Sequence, residues 1–198
     1  MASDAVSLIE QDHRELEALF QRVLAGDGDR RAAVEEITAR LTAHARAEEE
    51  EVYPALTKAD PDEEAEVDHA YDEHHEAEHL LRKARNLVAT AHFEDAFTAF
   101  VGAVKHHVEE EETEVLPALR EAVDAKTLMR LGTAFDRVRR ELLGASVTAA
   151  PAEEMALAGE PAADATRDEL YEKAKRADIH GRSTMTKQEL AEALRDNT

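Results

Sequence analysis

The sequence predicts an all-α protein whose main domain is an up-down-up-down four-helix bundle with a fifth helix packed against it. Only seven glycines and five prolines occur in 198 residues, so long stretches rich in Ala, Leu, Glu and Arg continue without a helix breaker. No run of β-branched or aromatic residues alternates with polar ones, as a strand would require. Four long apolar-periodic patterns are separated by short turns, and short connections make neighbouring helices antiparallel.

Each boundary between the predicted helices has a local cause. The first helix ends at the turn sequence Gly26-Asp27-Gly28-Asp29, because glycine adopts the backbone conformations that tight turns require. The third begins after Asp60, which can cap the helix while Pro61 takes the first helical position. Pro54 and Pro117 are expected to kink or end the second and fourth helices. The five helices cover approximately residues 3–25, 29–57, 61–90, 93–123 and 128–143.

Composition divides the chain into three parts. Residues 1–143 form the predicted bundle. Residues 144–165 form a flexible linker, because Ala, Pro, Glu, Gly and Thr predominate there without an apolar stripe. Residues 166–198 contain two helix-capping boxes, which open at Thr166 and Thr186. These boxes predict a small helix–loop–helix module.

The charge and composition exclude several classes of function. A formal net charge of -21 repels the phosphates of nucleic acids and the surfaces of anionic membranes. The chain has no cysteine, which excludes disulfide bonds and thiolate metal sites. The first residues lack the basic and apolar regions of a secretory signal, and no apolar run approaches the length of a membrane span. We therefore expect a cytoplasmic protein that does not enter a membrane.

A helix-spaced His/Glu pair occurs twice in nearly the same setting. His44 is followed four residues later by Glu48, and His107 by Glu111; in both copies a proline comes six residues after the glutamate. Residues four apart lie on one face of a helix, so each pair directs an imidazole and a carboxylate to the same point. Two such points related by an internal repeat predict a shared metal site. The other glutamates of these acidic runs are expected to face mostly solvent.

The phase of the apolar residues extends the two pairs to a six-residue site. His13 falls on the apolar stripe of the first helix, and His74 falls on that of the third. His106 lies one step off its stripe, although a glutamate follows it at the same spacing, and His75 lies on a polar face. The internal repeat also aligns His13 with His74 rather than with His75. The predicted metal ligands are His13, His44, Glu48, His74, His107 and Glu111.

Burial of these side chains requires compensating charge. An isolated buried carboxylate is costly or becomes neutral through a raised pKa, and two carboxylates near one centre repel each other. A pair of divalent or trivalent cations, bridged by both glutamates, would remove both penalties. Imidazole and carboxylate ligands without thiolate suit iron, manganese or zinc.

The six residues, in this order and spacing, resemble the hemerythrin-like, or HHE cation-binding, domain over about residues 3–143. The resemblance implies two non-heme iron ions with terminal histidine ligands and two carboxylate bridges. Hemerythrins have a further histidine four residues before the third-helix ligand, where this chain has Ala70. Tyr71 lies on the stripe of His74, and its phenolate is a candidate for that position. Core packing or a hydrogen bond outside the ligands is the other interpretation of Tyr71.

The resemblance implies a centre that binds or reduces a small oxidant: dioxygen, peroxide or nitric oxide. It leaves open whether the protein turns over, as a catalase-like or nitric-oxide-consuming oxidoreductase would. The alternative is an iron- or oxygen-responsive sensor that signals through the C-terminal module without turnover. Metal storage is a third interpretation, and two buried ions per chain would make a poor store.

The C-terminal module raises a separate question about partners. Its sequence, DELYEKAKRADIHGRSTMTKQELAEAL, resembles the helix–loop–helix modules of the SAP-like and Rho N-terminal-like group, which often contact nucleic acid. Residues 164–198 contain seven basic and eight acidic residues, so they lack the positive surface that phosphate binding needs. A local basic cluster leaves weak contact with nucleic acid open, and a protein-interaction or accessory role is the alternative. The cluster consists of Lys173, Lys175, Arg176 and Arg182.

Overall fold

The computed structural model describes residues 3–148, 170, 171 and 173 of the chain. All regular structure among these residues is helical, which confirms the all-α fold class. The chain divides into two compact units, Met1–Ala150 and Pro151–Thr198, and the features discussed below belong to the first. Most of the predicted linker and of the helix–loop–helix module lies outside the described residues, so the division at 143 and 165 stays a prediction.

Seven α-helices make up most of the first unit. They are α1 (Ala5–Leu24), α2 (Arg30–Ala47), α3 (Tyr53–Ala59), α4 (Glu64–Asn86), α5 (Phe93–Glu110), α6 (Leu116–Ala122) and α7 (Ala125–Thr148). A π-helical segment, Glu48–Val52, joins α2 to α3, and a second, Glu111–Val115, joins α5 to α6. A single 3-10 turn, Pro61–Glu63, precedes α4.

Helices α1, α2, α4 and α5 form the bundle that the sequence predicts. Helix α1 packs against α2, and α4 packs against α5. Helix α7 packs against both α1 and α2, which confirms the fifth helix. Gly132 allows the start of α1 to approach α7 closely, because a Cβ atom there would come 2.5 Å from the carbonyl oxygen of Ser3. Helix α7 also extends to Thr148, beyond its expected end at 143.

The helix ends have the local causes that the sequence indicates. Asp29 Oδ1 accepts a hydrogen bond from the Ala32 N–H at 3.0 Å, and Asp60 Oδ1 accepts one from the Asp62 N–H at 3.2 Å. Gly26 has a φ of 73° in the turn between α1 and α2, a conformation that side chains with a Cβ atom rarely adopt.

The π-helical segments were not expected, and they replace the expected kinks at the prolines. Pro54 and Pro117 lie in the first turns of α3 and α6, positions that tolerate proline. The helix widens into a π-helical segment just before each proline. In the first π-helical segment the Tyr53 N–H bonds to the Glu48 carbonyl oxygen, five residues earlier. The equivalent bond in the second segment ends on the Glu111 carbonyl oxygen.

Two apolar clusters fill the bundle, and a layer of polar side chains lies where they meet. One cluster is centred on Phe20, Phe97 and Phe100, and the other includes Tyr53 and Phe135. Along α1, α2 and α4, and along α5 with the π-helical segment that follows it, the buried histidine lies between residues of one cluster and residues of the other. Within the described part of the chain, no helix is long and apolar enough to cross a membrane.

Candidate metal centre

The six residues predicted as metal ligands lie together in this polar layer, and each is at most 5% exposed. Their potential ligand atoms form two groups, and the atoms of each group lie within 4.8 Å of one another. The first group is His13, His44, Glu48 and Glu111, and the second is Glu48, His74 and His107. Because Glu48 belongs to both groups, the two groups are adjacent and share a carboxylate.

Local helix geometry positions each His/Glu pair at a junction between two helix types. His44 lies in the last turn of α2, and Glu48 is the first residue of the π-helical segment that follows. His107 and Glu111 have the same relation at the end of α5. Single π turns inside α-helices occur frequently at functional sites. The same junction between an α-helix and a π-helical segment therefore occurs once in each half of the bundle.

The Nε2 atoms of the histidines all face the two buried glutamates. Glu48 Oε2 lies 3.3 Å from His44 Nε2 and 3.4 Å from His74 Nε2. Glu111 Oε2 lies 3.2 Å from the Nε2 atom of His13 and 3.9 Å from that of His107. Each glutamate thus contacts one imidazole from each half of the internal repeat. This is the arrangement that two bridging carboxylates would need.

The Nδ1 atoms, on the opposite side of each ring, all face carboxylates. Three of these contacts are hydrogen bonds: His13 with Glu112 at 2.9 Å, His74 with Glu49 at 3.1 Å, and His107 with Glu73 at 3.0 Å. His44 Nδ1 faces Asp12 Oδ2 at a longer distance, 3.5 Å. A carboxylate on Nδ1 favours the tautomer that carries its proton there, which leaves the Nε2 lone pair free for a metal.

These four outer carboxylates are functional candidates that the sequence reasoning missed. Glu49 and Glu112 belong to the acidic runs that were expected to face mostly solvent, but each orients a buried histidine. A signal for them existed, because the repeat that aligns Glu48 with Glu111 also aligns Glu49 with Glu112. The same repeat aligns Asp12, which precedes His13, with the glutamate that precedes His74.

Two arginines hold the outer carboxylates of the first group of ligands. Arg139 of α7 forms an ion pair with Asp12, so the fifth helix reaches the centre through the carboxylate beside His44. Arg14 donates two hydrogen bonds to Glu112, both 2.9 Å long. A two-pronged contact of this kind fixes the carboxylate plane as well as its position.

A tyrosine that the sequence reasoning left without a role enters the centre. The Tyr53 hydroxyl donates a hydrogen bond to Glu111 Oε1 at 3.1 Å and lies 3.4 Å from His74 Nε2. Tyr53 is fully buried, and its ring stacks on His74 at a centroid distance of 5.7 Å. Its counterpart in the repeat is Leu116. This departure from the repeat was the available signal for Tyr53.

Tyr71, the candidate considered from the sequence, makes a different contact. Its hydroxyl donates a hydrogen bond to the backbone carbonyl oxygen of Glu49 at 3.0 Å. In an ordinary helix this carbonyl oxygen would accept a hydrogen bond from a backbone N–H. At the five-residue spacing of the π-helical segment the donor would be Pro54, which has no backbone N–H. Ala70, where hemerythrins have a further histidine, lies in the same apolar cluster as Tyr53 and Tyr71.

The charges in the centre strongly perturb its titrating groups. Burial acts to lower the pKa of His13, but the adjacent Glu111 carboxylate outweighs it and raises the pKa to about 9. Burial likewise opposes protonation of His74, and Glu48 and Glu49 raise the pKa of His74 to about 10. Burial also acts to raise the pKa of Glu111, but the surrounding histidines hold it well below its ordinary value. Positive charge is therefore strongly favoured at this point.

The donor atoms present fit a pair of cations. Several buried atoms that face one another have no hydrogen-bond partner: His13 Nε2, both carboxylate oxygens of Glu48, and Glu111 Oε2. Leaving a buried polar group without a partner costs about 1–3 kcal/mol, and more for a charged group. Cations would satisfy all four atoms at once. The donors are imidazole nitrogens and carboxylate oxygens, which suit iron, manganese or zinc.

A small cavity of about 10 Å³ adjoins all four histidines. Its other walls are mainly apolar and include Leu16, Leu41, Ala77 and Val104. This volume is close to the minimum that one water-sized molecule requires. Only a very small molecule fits beside the imidazoles without movement of the helices.

Comparisons with known proteins identify the family and the fold that the chain resembles. The family model described as the hemerythrin HHE cation binding domain matches residues 4–119. A solved hemerythrin HHE cation binding domain-containing protein of Mycobacterium kansasii has a similar fold, with a TM-score of 0.66 and 22% identity; the match covers 74% of this chain and 91% of that one. A curated DNA nickase from Nostoc sp. is 27% identical over 149 residues, which are 72% of this chain and 42% of the nickase. The chain therefore spans less than half the length of that relative.

The family match includes all six candidate ligands, and it ends before the C-terminal segment. The resemblance of that segment to SAP-like modules therefore stays a prediction. For residues 4–119, which are more than half of the chain, the order of the histidines and glutamates, the helical bundle and the family model agree. The chain belongs to the hemerythrin HHE cation binding domain family.

Proposed function

We propose that this chain is a non-heme di-iron protein that binds or reduces a small oxidant. His13 and His44 would hold one iron, and His74 and His107 would hold the other. Glu48 and Glu111 would be shared between the two ions. The observation that carries the proposal is the convergence of four Nε2 atoms on two shared carboxylates.

The outer carboxylates support a metal role over a purely structural one. A neutral core histidine has one donor and one acceptor nitrogen, but each histidine here faces a carboxylate, which can only accept, at both ring nitrogens. A cation at Nε2 would resolve this mismatch. A carboxylate behind a metal-bound imidazole fixes the ring and increases its basicity as a ligand. Helical bundles also bind paired irons through inward-facing glutamates and histidines on several helices.

The size of the cavity favours dioxygen, peroxide or nitric oxide as the ligand. Iron, when bound, would supply the redox chemistry, and the protein would control which molecules reach it. Leu16, Leu41 and Val104 make the cavity walls apolar and exclude larger polar substrates. A groove of about 380 Å³ along α1 and α5 shares His13, Leu16, Val104 and Val108 with the cavity, so a small molecule would enter from that side.

Tyr53 is the proton-carrying group closest to the proposed bridge. Burial and the negative charges of Glu111 and Glu48 raise the pKa of Tyr53 well above its ordinary value, so the hydroxyl keeps its proton at neutral pH. It donates to Glu111 in this structure. In the proposed function the hydroxyl orients that carboxylate and offers a hydrogen bond within the centre.

Metal analysis joined to rapid kinetics tests the proposal. Protein purified after growth with iron should contain about two irons per chain and should show ligand-to-metal charge-transfer absorption. Stopped-flow addition of dioxygen, hydrogen peroxide and nitric oxide should give a spectral change with at least one. The combined substitution His44→Ala and Glu111→Ala should remove the iron and the absorption, whereas substitution of the exposed residues His79→Ala and Glu76→Ala should retain both. Retention of iron and absorption by the first variant would contradict the site.

The same kinetics separate turnover from sensing. Consumption of peroxide or nitric oxide by substoichiometric protein supports an enzyme of the catalase-like or nitric-oxide-consuming kind. Binding without consumption supports the sensor that the sequence left as the alternative. A function on DNA is not proposed from the nickase similarity, because a net charge of -21 opposes binding to a phosphate backbone.

A further inference from the structure

A second group of imidazole and carboxylate side chains lies at the protein surface beside the inner centre. It consists of His69 and Glu73 of α4 with His106 and Glu110 of α5, and we call it the surface cluster. His106 and Glu110 are the His/Glu pair that lies one step off the apolar stripe of its helix and therefore faces away from the inner centre. The histidines are about half exposed or more, at 52% for the His69 side chain and 63% for that of His106.

One potential ligand atom from each of His69, Glu73 and Glu110 lies within 4.8 Å of the other two, and His106 approaches the two glutamates from α5. His69 Nε2 lies 3.2 Å from Glu110 Oε2, and His106 Nε2 lies 3.3 Å from Glu110 Oε1. Both Nε2 atoms lie 3.9 Å from Glu73 Oε1. Two ligands of a tetrahedral ion with bonds of about 2.0–2.1 Å are roughly 3.4 Å apart. His69, Glu73 and Glu110 would need only small side-chain movements to close on a cation, and His106 would have to turn toward it as a fourth ligand.

The hydrogen bonding of the surface cluster is incomplete without such an ion. Glu110 Oε2 is buried and has no hydrogen-bond partner, although His69 Nε2 is nearby. An exposed His/Glu ion pair contributes little stability, so pairing alone does not explain why two histidines and two glutamates from different helices meet here. A cation held by His69, Glu73 and Glu110 would satisfy Glu110 Oε2.

Glu73 connects the surface cluster to the inner centre. Its Oε2 atom accepts the hydrogen bond from His107 Nδ1 at 3.0 Å, and its Oε1 atom faces His69 and His106. One carboxylate therefore orients a candidate inner ligand and also contributes to the surface cluster. A cation that binds Glu73 at the surface would reduce the negative charge on its carboxylate. The hydrogen bond that Glu73 accepts from His107 Nδ1 would then become weaker.

We propose that the surface cluster binds a divalent first-row transition cation, and that Glu73 couples this surface site to the inner centre. Imidazole nitrogen and carboxylate oxygen are donors for zinc, ferrous iron, cobalt or manganese. The exposed histidines allow an ion to enter directly from solvent, and the acidic protein attracts it. The proposal goes beyond the oxidant chemistry, because it requires neither turnover nor an open iron position.

Calorimetric titration of the full iron-loaded chain with Zn²⁺ tests the site. One zinc ion per chain should bind in addition to the inner metals, and the iron content measured afterwards should be unchanged. His69→Ala with His106→Ala should abolish this binding. The control, His75→Ala with His79→Ala, removes two other histidines of α4 that have a metal-compatible spacing, and should keep it. Absence of the extra ion from the unsubstituted chain, or its loss only in the control, would overturn the site.

Spectroscopy of the same samples tests the coupling. Saturation with Zn²⁺ should shift the absorption of the iron centre in the unsubstituted chain and leave it unshifted in the His69→Ala, His106→Ala variant. Glu110→Gln should weaken zinc binding by about tenfold or more while it preserves inner iron. An identical iron spectrum with and without bound zinc would show that zinc at the surface cluster does not affect the inner centre through Glu73. The proposed coupling would then be wrong.

Discussion

The hydroxyl group of Tyr53 donates a hydrogen bond to Glu111 Oε1 across 3.1 Å, and no matching contact is possible in the other half of the internal repeat. The aligned residue there is Leu116, whose side chain has no donor. The two glutamates of the centre therefore differ chemically, although their helices are related by the repeat. This asymmetry gives the two proposed irons different surroundings.

Tyr53→Phe should destabilise the iron-loaded protein and alter its spectrum. The substitution leaves a buried oxygen of Glu111 without its donor, which costs about 1–3 kcal/mol in the free energy of unfolding. Denaturant titration measures the loss, and the charge-transfer absorption reports the change at the metals. Tyr71→Phe is the control, since it removes a hydroxyl that bonds to a backbone carbonyl. A larger spectral change in the control would reverse the roles given to the two tyrosines.

Glu49→Gln should weaken metal binding, because Glu49 Oε1 contacts His74 Nδ1 at 3.1 Å and orients that ring. Loss of a carboxylate behind a metal-bound histidine typically lowers metal affinity by about 10–100-fold. Competition with a chromophoric chelator measures the affinity. Glu50→Gln, an exposed neighbour in the same acidic run, should have no effect. Equal affinities for the two variants would mean that Glu49 does not support the centre.

Arg139→Leu should destabilise the bundle and weaken the metal site beside His44. Arg139 is mostly buried and pairs with Asp12, which is also buried, so its removal leaves a carboxylate without its partner. We expect a loss of about 1–3 kcal/mol in the free energy of unfolding. Arg140→Leu serves as the comparison, because Arg140 is 75% exposed and its pair with Asp136 contributes at most about 1 kcal/mol. Similar losses from both substitutions would exclude a special role for α7.

Removal of metal should lower the melting temperature. Without cations, the buried carboxylates of Glu48 and Glu111 depend on protons held by neighbouring histidines, and ligands that bind only the folded state stabilise it by mass action. Calorimetry before and after chelation, and again after iron is restored, measures the effect. In a variant that combines His44→Ala and Glu111→Ala with His69→Ala and His106→Ala, the melting temperature should be the same under all three conditions. A chelator-sensitive melting temperature in that variant would place the stabilising metal elsewhere.

Val108→Phe should slow the entry of small oxidants without loss of iron. Val108 lines both the surface groove and the inner cavity, and a phenyl ring there would fill the passage between them. Stopped-flow rates with peroxide or nitric oxide should fall, whereas Val108→Ala should raise them. Iron content serves as the check that the centre is intact. Unchanged rates in both variants would mean that the oxidant enters by another route.

The internal repeat made much of the centre predictable. Because His44 and Glu48 recur as His107 and Glu111 in the same apolar phase, the sequence alone indicated which side chains face the interior. His13 followed from phase on its own helix, and His106, which phase placed off the stripe, is exposed in the structure. The structure brings the predicted ligands together, and their role as ligands stays a proposal.

The partners of those residues were less accessible to sequence reasoning. Glu49 and Glu112 lie in acidic runs whose periodicity resembles an exposed face; the repeat aligns them with each other, but their contacts with histidines of other helices show what they do. Tyr53 occupies a position that phase alone assigns to the core. The π-helical segments also escaped prediction, since a widened turn has no distinct periodicity and the nearby prolines suggested a kink.

The sequence by itself determined the helices, their buried faces and the candidate ligands, because spacing of three or four residues along one helix decides which side chains share a face. Only the tertiary structure decided which carboxylate supports which histidine, that Tyr53 reaches Glu111, and that His69 of α4 contacts Glu110 of α5. Those contacts join residues between 25 and 99 positions apart, and they depend on how the helices are rotated and offset against one another. No pattern within a single helix carries that information.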